Sequence, residues 1–157
     1  MITEHVPLVS AIVVNWNGGE MLCEALTSLF AQTWPALEVI LVDNGSTDRS
    51  VDMAVSRFGD SLSVVRNGKN LGFAAGNNAG LELARGEFVA LLNNDTKAEP
   101  GWLAALYECI RSDQRIAACD SKVLYYDRPE MVWSSGGSYT VAGSVFARRH
   151  RERTGQR

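Results

Sequence analysis

The feature that most restricts the fold of this chain is an alternation between apolar, β-branched runs and stretches with helical apolar spacing. Residues 8–14 and 37–42 are nearly continuous apolar runs, typical of strands that are covered on both faces of a parallel sheet. Between them, apolar residues recur along one face of a helix: Leu22, Ala25, Leu26, Leu29 and Phe30. This order predicts a βαβ unit.

The alternation continues and predicts three further helices and four further strands. In chain order these are a helix from Thr47 or Asp48 to about Phe58, a strand at 62–65, a helix at 73–84 closed by Gly86, a strand at 88–92, a helix beginning at Pro100, and strands at 116–119 and 123–126. Residues 132–146 are rich in Gly and Ser and remain ambiguous. The pattern indicates an α/β domain with a mainly parallel central sheet.

Charge is unevenly distributed along the 157 residues, whose net charge is −3. Residues 148–157 form a basic tail with five Arg and one Glu, which leaves −7 on the rest of the chain. An acidic body argues against nucleic acid as a partner, because phosphate contacts need a basic face. The tail is either a solvated segment or a peripheral contact with anionic lipid.

Two further features of the sequence bear on its compartment. No apolar run reaches the roughly 18 residues of a membrane span, and the start lacks the pattern of a signal peptide. Cys23, Cys109 and Cys119 show no paired spacing, so we expect reduced, mostly buried thiols rather than disulfides or a zinc site. We therefore expect a cytoplasmic protein, with the inner face of the membrane as one place for it to act.

Polar sets follow three of the predicted strands, at residues 15–17, 43–48 and 93–96. In parallel α/β sheets ligands bind beyond the carboxyl ends of the strands, so these are the candidate site residues. Neither a P-loop motif nor a dinucleotide-binding glycine motif after the first strand is present. This excludes a P-loop enzyme and argues against a dehydrogenase.

Asp95 is the best candidate metal ligand, because it should emerge at the sheet edge two residues beyond Asn93. Hard cations such as Mg²⁺ or Mn²⁺ accept carboxylate oxygens and leave positions for phosphate. An equally open alternative is that Asn93, Asn94 and Asp95 only form a turn or a helix cap.

Asp43 and Trp16 are candidates for holding a nucleoside. Asp43 could accept hydrogen bonds from a base or a ribose, or it could instead form an Asx-turn into Asn44. Trp16 offers a face for a base, although an ordinary core tryptophan is the alternative. Asp48 is predicted to be a structural cap.

One predicted helix, at residues 73–84, carries glycines at every fourth position, at Gly76 and Gly80 after Gly72. They permit close approach to a strand or to a ligand, and packing alone explains them. Asn77 beside them could reach phosphate or sugar oxygens, or satisfy a buried backbone group.

In their order, four segments resemble the family 2 glycosyltransferases, and within them the rhamnosyltransferase-like branch. The segments are residues 10–17, 42–48, 70–80 and 84–96. The resemblance spans about Leu8 to Leu106.

The resemblance implies a GT-A fold, a Rossmann-like three-layer sandwich, and inverting, metal-assisted transfer of a sugar from a nucleotide-diphosphate donor to a glycan or lipid-linked acceptor. Trp16 takes the place of the aromatic beside the base, Asp43 that of the carboxylate that binds the base, and Asp95 that of the metal-binding Asp. Asn93 stands where many members have a further Asp, and Asn77 where others carry an Arg near the diphosphate.

The catalytic base cannot be assigned, because no acidic residue after Asp95 lies in a version of the family's base motif. The expected domain is therefore residues 1–157 as one nucleotide-sugar-binding part that stops before the acceptor region. The alternatives are a sugar nucleotidyltransferase and a non-catalytic module that binds a nucleotide or a partner.

Overall fold

The computed structural model describes residues 5–139 and 145–147, and the chain divides into two compact units, Met1–Ala104 and Ala105–Arg157. The basic tail predicted at residues 148–157 lies outside the described residues. Within the part of the chain that is described, no helix has the length and apolar character needed to cross a bilayer.

The first unit is built on a four-stranded parallel sheet with helices between the strands. Its elements are β1 (Val9–Asn15), α1 (Gly19–Phe30), β2 (Leu37–Asp43), α2 (Ser50–Phe58), a short 3₁₀ turn (Gly59–Ser61), β3 (Leu62–Arg66), α3 (Phe73–Leu81), β4 (Phe88–Leu91) and the start of α4 (Trp102–Arg111). The strand order is β3-β2-β1-β4, with every pairing parallel. The predicted parallel α/β class is confirmed.

Side chains alternate between the two faces of the sheet and build an apolar layer on each. On one face Ala11, Val13 and Leu41 pack with the buried residues of α1 and α2 and with Leu103 of α4. On the other face Ile12, Ile40 and Val42 pack with Ala79 of α3 and with Ala84. Helices therefore cover both faces, which gives the predicted three layers.

Two glycines bring α3 against the sheet. A Cβ atom on Gly80 would lie 2.7 Å from Ile12 Cγ2 and 3.0 Å from Val42 Cγ2. One on Gly76 would lie 2.8 Å from Val14 Cγ1. Packing against the strands, rather than contact with a ligand, thus accounts for both positions.

Two predicted helix boundaries in the first unit, the start of α2 and the end of α3, were wrong. Helix α2 begins at Ser50 rather than at Thr47 or Asp48, which lie in the preceding loop with their backbone N–H groups bonded to Asn17 Oδ1. Helix α3 ends at Leu81, after which the chain continues in tighter turns. Gly86 does not close it but donates its N–H to Ser10 Oγ at 2.8 Å.

Two further expectations for the first unit need correction. Helix α4 begins at Trp102 rather than Pro100, whose carbonyl accepts the N–H of Thr33 at 2.9 Å. Phe30, the last residue of α1, is 39% exposed and stacks on Phe58 with ring centroids 4.9 Å apart. Its neighbours on the predicted face, such as Leu29, are buried as expected.

The second unit contains short antiparallel pairs after the end of α4. Strand β5 (Val123–Leu124) pairs with β6 (Val132–Ser134), and β7 (Gly137–Tyr139) pairs with β8 (Val145–Ala147). The strand predicted at 123–126 is therefore two residues long. The strand predicted at 116–119 is wrong, because that segment is irregular and its two alanines are exposed.

The three cysteines are free thiols, but the expectation that they are mostly buried is wrong, because Cys109 is exposed and Cys23 and Cys119 are only partly buried. In the second unit, a hydrogen bond between the thiols of Cys119 and Cys109, together with burial, raises the pKa of Cys119 to about 11. Cys119 is therefore protonated at neutral pH.

Candidate functional site

All four strands of the sheet run in the same direction, so the loops after them meet at one edge. The chain steps from β1 outward to β2 and β3 and then returns to place β4 on the other side of β1. Such a reversal opens a crevice between the loops that follow the two strands on either side of it. Here those loops contain Trp16 after β1 and Asp95 after β4, while Asp43 ends the neighbouring β2.

Trp16 lies at the surface of this edge, with 57% of the residue exposed. The alternative of an ordinary core tryptophan is therefore wrong. The next residue, Asn17, has a positive φ of 54° and accepts the N–H of Thr47 at 2.8 Å. The tryptophan is thus presented from a turn that is tied to the loop after β2.

Asp43 is only 6% exposed and makes two contacts. Its Oδ1 accepts the N–H of Ser46 at 2.9 Å, which closes a side-chain-to-backbone turn one residue wider than the Asx-turn of the structural alternative. Its Oδ2 lies 3.6 Å from Nη1 of Arg66, which is opposite Asp43 in the register of β2 and β3. Asp43 therefore forms the turn and also holds a carboxylate at the sheet edge.

Arg66 was missed by the sequence reasoning. The signal that was available is its place as the last residue of β3, one strand from Asp43. The register that joins the two residues depends on strand pairing, which the sequence does not state.

Asn93 and Asp95 are both exposed at the beginning of the loop that follows β4. The carbonyl of Asn93 accepts the N–H of Thr96 at 3.1 Å, so a turn is present as the structural alternative expects. The hydroxyl of Thr96 lies 3.4 Å from Asp95 Oδ1. The turn leaves the Asp95 carboxylate exposed to solvent.

Asn77 is 6% exposed, and its Nδ2 donates to the carbonyl of Phe73 at 3.0 Å within α3. This is the backbone-satisfying role that the sequence left open beside contact with a diphosphate. The geometry gives this side chain a structural task within its own helix.

Asp48 is structural, as predicted, although the N-cap position of α2 is Arg49 rather than Asp48. It accepts the N–H of Gly19 at 2.9 Å and that of Ser50 at 3.1 Å, and it also bonds the Ser50 hydroxyl. The hydrogen bonds from Ser50 are the main cause that lowers its pKa, against the opposing effect of burial. Asp48 thus ties the starts of α1 and α2 together.

Two buried asparagines join the loops, and sequence reasoning gave neither a role. Asn15 is fully buried and bonds Ser46, Ser50 and Asn94 through its side chain. Asn44, 2% exposed, accepts the Nδ2 of Asn67 at 2.8 Å and donates to the carbonyl of Gly72 at 3.1 Å. The available signal in the sequence was that each of these polar residues lies at the end of an apolar run.

Metal donors at this edge are sparse. Across residues 5–139 and 145–147, no three His, Cys, Asp or Glu side chains are grouped so as to hold a metal ion. Asp95 offers an exposed carboxylate and Asn93 an exposed amide oxygen. These hard oxygen donors suit Mg²⁺ or Mn²⁺ if a phosphate-bearing ligand completes the coordination.

Comparison with known proteins identifies relatives of this sequence. The family described as Glycosyl transferase family 2 matches residues 10–154. An uncharacterized glycosyltransferase of Haemophilus influenzae is 31% identical over 120 residues, which are 75% of this chain and 37% of that protein. The chain thus spans well under half the length of this curated relative.

Solved structures share the fold. The S. aureus TarS 1–349 structure in complex with UDP-GlcNAc matches with a TM-score of 0.62 and 28% identity, over 68% of this chain and 32% of that one. The mannosyltransferase PcManGT from Pyrobaculum calidifontis, in complex with GDP-Man and Mn²⁺, matches with a TM-score of 0.65 and 28% identity, over 72% and 34%. The parallel sheet and its covering helices therefore have the GT-A architecture.

Proposed function

Because this chain belongs to glycosyltransferase family 2, we propose that it supplies the donor-binding part of an enzyme that moves a sugar from a nucleotide diphosphate to a glycan or lipid-linked acceptor. The observation that carries the proposal is the meeting of three strand-end loops, which bear Trp16, Asp43 and Asp95, at the reversal of the sheet order. TarS and PcManGT, which share the fold, were solved with UDP-GlcNAc and GDP-Man.

Trp16 and Asp43 hold the nucleoside in this proposal. The exposed Trp16 provides a flat apolar surface on which a base can stack. The buried carboxylate of Asp43 is already fixed by Ser46, so that it can accept a hydrogen bond from the base or ribose without first being ordered.

Asp95, with Asn93 beside it, holds Mg²⁺ or Mn²⁺ together with the donor diphosphate. Their exposed oxygens fit a hard cation, and Mn²⁺ accompanies GDP-Man in the PcManGT structure. When bound there, the cation would neutralise the negative charge that grows on the leaving diphosphate. Asn77 is the weakest member of the proposed set, because it bonds its own helix.

Transfer also needs a general base that removes the proton of the acceptor hydroxyl as the sugar carbon is attacked. We assign no residue of this chain to that step. We propose that residues 1–157 act as one donor-binding domain and that the base and the acceptor surface belong to a further part of the enzyme. The inverting outcome, a rhamnosyltransferase-like donor preference and action at the cytoplasmic face of a membrane stay predictions.

The two other functions make different predictions for ligands. A sugar nucleotidyltransferase would bind nucleoside triphosphates and sugar 1-phosphates, and the relatives named as glycosyltransferases argue against it. A non-catalytic module would bind a nucleotide or a partner without dependence on a cation.

The proposal is tested by calorimetry with UDP, GDP and dTDP, each with Mn²⁺ or with EDTA. We expect one of them to bind more tightly with Mn²⁺, and Asp95→Ala to remove that gain. The matched control is Asp60→Ala, an exposed aspartate far from the strand-end loops in sequence. Equal affinity with Mn²⁺ and with EDTA in the unsubstituted chain would contradict the metal-assisted mechanism.

A further inference from the structure

Asn15 is a fully buried polar residue at the candidate site, with no exposed surface. Its amide group joins all three strand-end loops. Nδ2 donates to Ser46 Oγ at 3.0 Å and to Ser50 Oγ at 2.9 Å, on the β2 side. Oδ1 accepts Nδ2 of Asn94 at 2.8 Å, on the β4 side.

We infer that Asn15 is a positioning residue, which holds the loop of Asp95 in place through its hydrogen bond with Asn94. This inference rests on the proposed function. Asn94 is partly buried between two exposed residues, Asn93 and Asp95. Asn94 therefore anchors the loop on its buried side, while the exposed side carries the oxygens of Asn93 and Asp95 that we assign to the cation.

Gly18 supplies a second observation on the same contact. A Cβ atom there would overlap Asn15 Oδ1 and would lie 2.7 Å from Asn94 Nδ2. The φ of Gly18 is −76°, which any residue can adopt, so backbone conformation does not demand glycine. Glycine is needed instead because a Cβ atom at this position would collide with the side chains of Asn15 and Asn94.

A fixed loop matters here because Asp95 is the one carboxylate that we assign to the cation. A site with few protein ligands depends on holding each of them in place before binding, since ordering a mobile loop subtracts from the affinity. Loss of one buried hydrogen bond is expected to lower the cation-dependent gain about tenfold. The nucleoside contacts of Trp16 and Asp43 would be unaffected.

The test uses the full chain with Asn94→Ala and Gly18→Ala, because substitution of Asn15 would also break its bonds to Ser46 and Ser50. Gly18→Ala retains every functional group and acts only by its methyl group. The matched control is Gly101→Ala, whose Cβ would meet nothing within 4 Å. Affinity for UDP, GDP and dTDP is measured with Mn²⁺ and with EDTA, and amide hydrogen exchange of residues 93–96 is measured without metal.

We expect both variants to lose about tenfold of the Mn²⁺-dependent gain, to exchange faster at residues 93–96, and to keep the affinity measured in EDTA. If one of the two variants does not unfold cooperatively, the positioning role is judged from the binding and exchange data of the other variant. An unchanged gain, or an equal loss with Mn²⁺ and with EDTA, would overturn the positioning role. A parent chain that binds none of the three nucleotides would contradict the proposed function itself, and this inference with it.

Discussion

Trp16 follows β1 and Asp43 ends the neighbouring β2, but the two residues differ in exposure, and this difference separates what each can contribute to binding and to folding. Trp16 is 57% exposed, so its burial contributes little to folding. Asp43 is 6% exposed and bonded to Ser46, so it serves folding as well as any ligand. A substitution at Trp16 should therefore change mainly nucleotide affinity, whereas a substitution at Asp43 can change both nucleotide affinity and the free energy of unfolding.

Trp16→Ala should weaken binding of the nucleoside diphosphate about tenfold, which is the loss expected when a base loses an aromatic stacking partner. The midpoint of thermal unfolding should hardly change, because the side chain is largely in water. Calorimetry and thermal melts measure the two effects. Met21→Ala, which removes a side chain of similar exposure from α1, is the control. Retained affinity in Trp16→Ala would rule out base stacking.

Asp43→Asn distinguishes the two roles of Asp43. Asn can accept the N–H of Ser46 and keep the turn, so stability should fall by less than about 1 kcal/mol. Loss of the charge should still weaken nucleotide binding, provided that the carboxylate contacts the nucleoside. Titration calorimetry with matched urea unfolding measures both quantities. If affinity is unchanged, the carboxylate serves only the turn.

At the scale of the elements, a second polar cluster closes the opposite end of the sheet. Ser10 Oγ donates to Glu38 Oε1 at 2.6 Å, and Arg85 reaches the same carboxylate through its backbone and its guanidinium. Gly86 donates to Ser10 in turn. This cluster, Ser10–Glu38–Arg85, joins β1, β2 and the connection from α3 to β4.

Glu38→Gln should therefore lower the free energy of unfolding at pH 7 by about 1–2 kcal/mol. The exposed Arg85 contributes less of this than the partly buried bond from Ser10. Burial acts to raise the pKa of Glu38, but the hydrogen bonds from Ser10 and Arg85 outweigh it and lower the pKa. A folded-state pKa below the unfolded one gives stability that is complete above about pH 4.5 and is lost as the pH falls through the folded pKa.

The difference in free energy of unfolding between Glu38→Gln and the parent chain should accordingly be smaller when urea unfolding is repeated near pH 3.5. Glu82→Gln, at an exposed glutamate after α3, should change stability by less than about 0.5 kcal/mol at either pH. A penalty for Glu38→Gln that persists at low pH would mean that shape rather than charge makes the cluster stabilising.

At the scale of the whole molecule, the proposed donor site lies at the reversal of a parallel sheet, in a chain that spans less than half the length of the curated relatives it matches. We predict that it binds donor nucleotide but gives no robust transfer to an acceptor. A missing general base alone lowers the rate by about 10²- to 10⁴-fold. Transfer assays with the candidate donor sugars measure this, and slow donor hydrolysis is compatible with it. Rapid acceptor-dependent transfer by residues 1–157 would contradict the proposal that the general base and the acceptor surface belong to a further part of the enzyme.

The sequence predicted the elements that bury apolar runs, because such runs are read directly from periodicity. Strands β1 to β4 fall within one or two residues of the prediction, and the family resemblance is confirmed. The boundary at Ser50 was missed because it depends on Asn17, which is 33 positions earlier in the chain. The role of Asn15 was missed for the same reason, since its partners Ser46 and Asn94 meet it only after the strands pair.

The position of β4 beside β1 has a consequence for the order in which the molecule folds. Strands β1, β2 and β3 pair in the order in which they leave the ribosome, whereas β4 must return across them to reach Ile12 and its neighbours. Closing so long a loop is entropically costly, and contacts of this kind form late and slowly. The bond between Asn15 and Asn94 spans 79 positions and belongs to that last step. A nascent chain that lacks β4 would therefore lack the loop that we propose for the cation, and Mn²⁺-dependent binding would report that the sheet is complete.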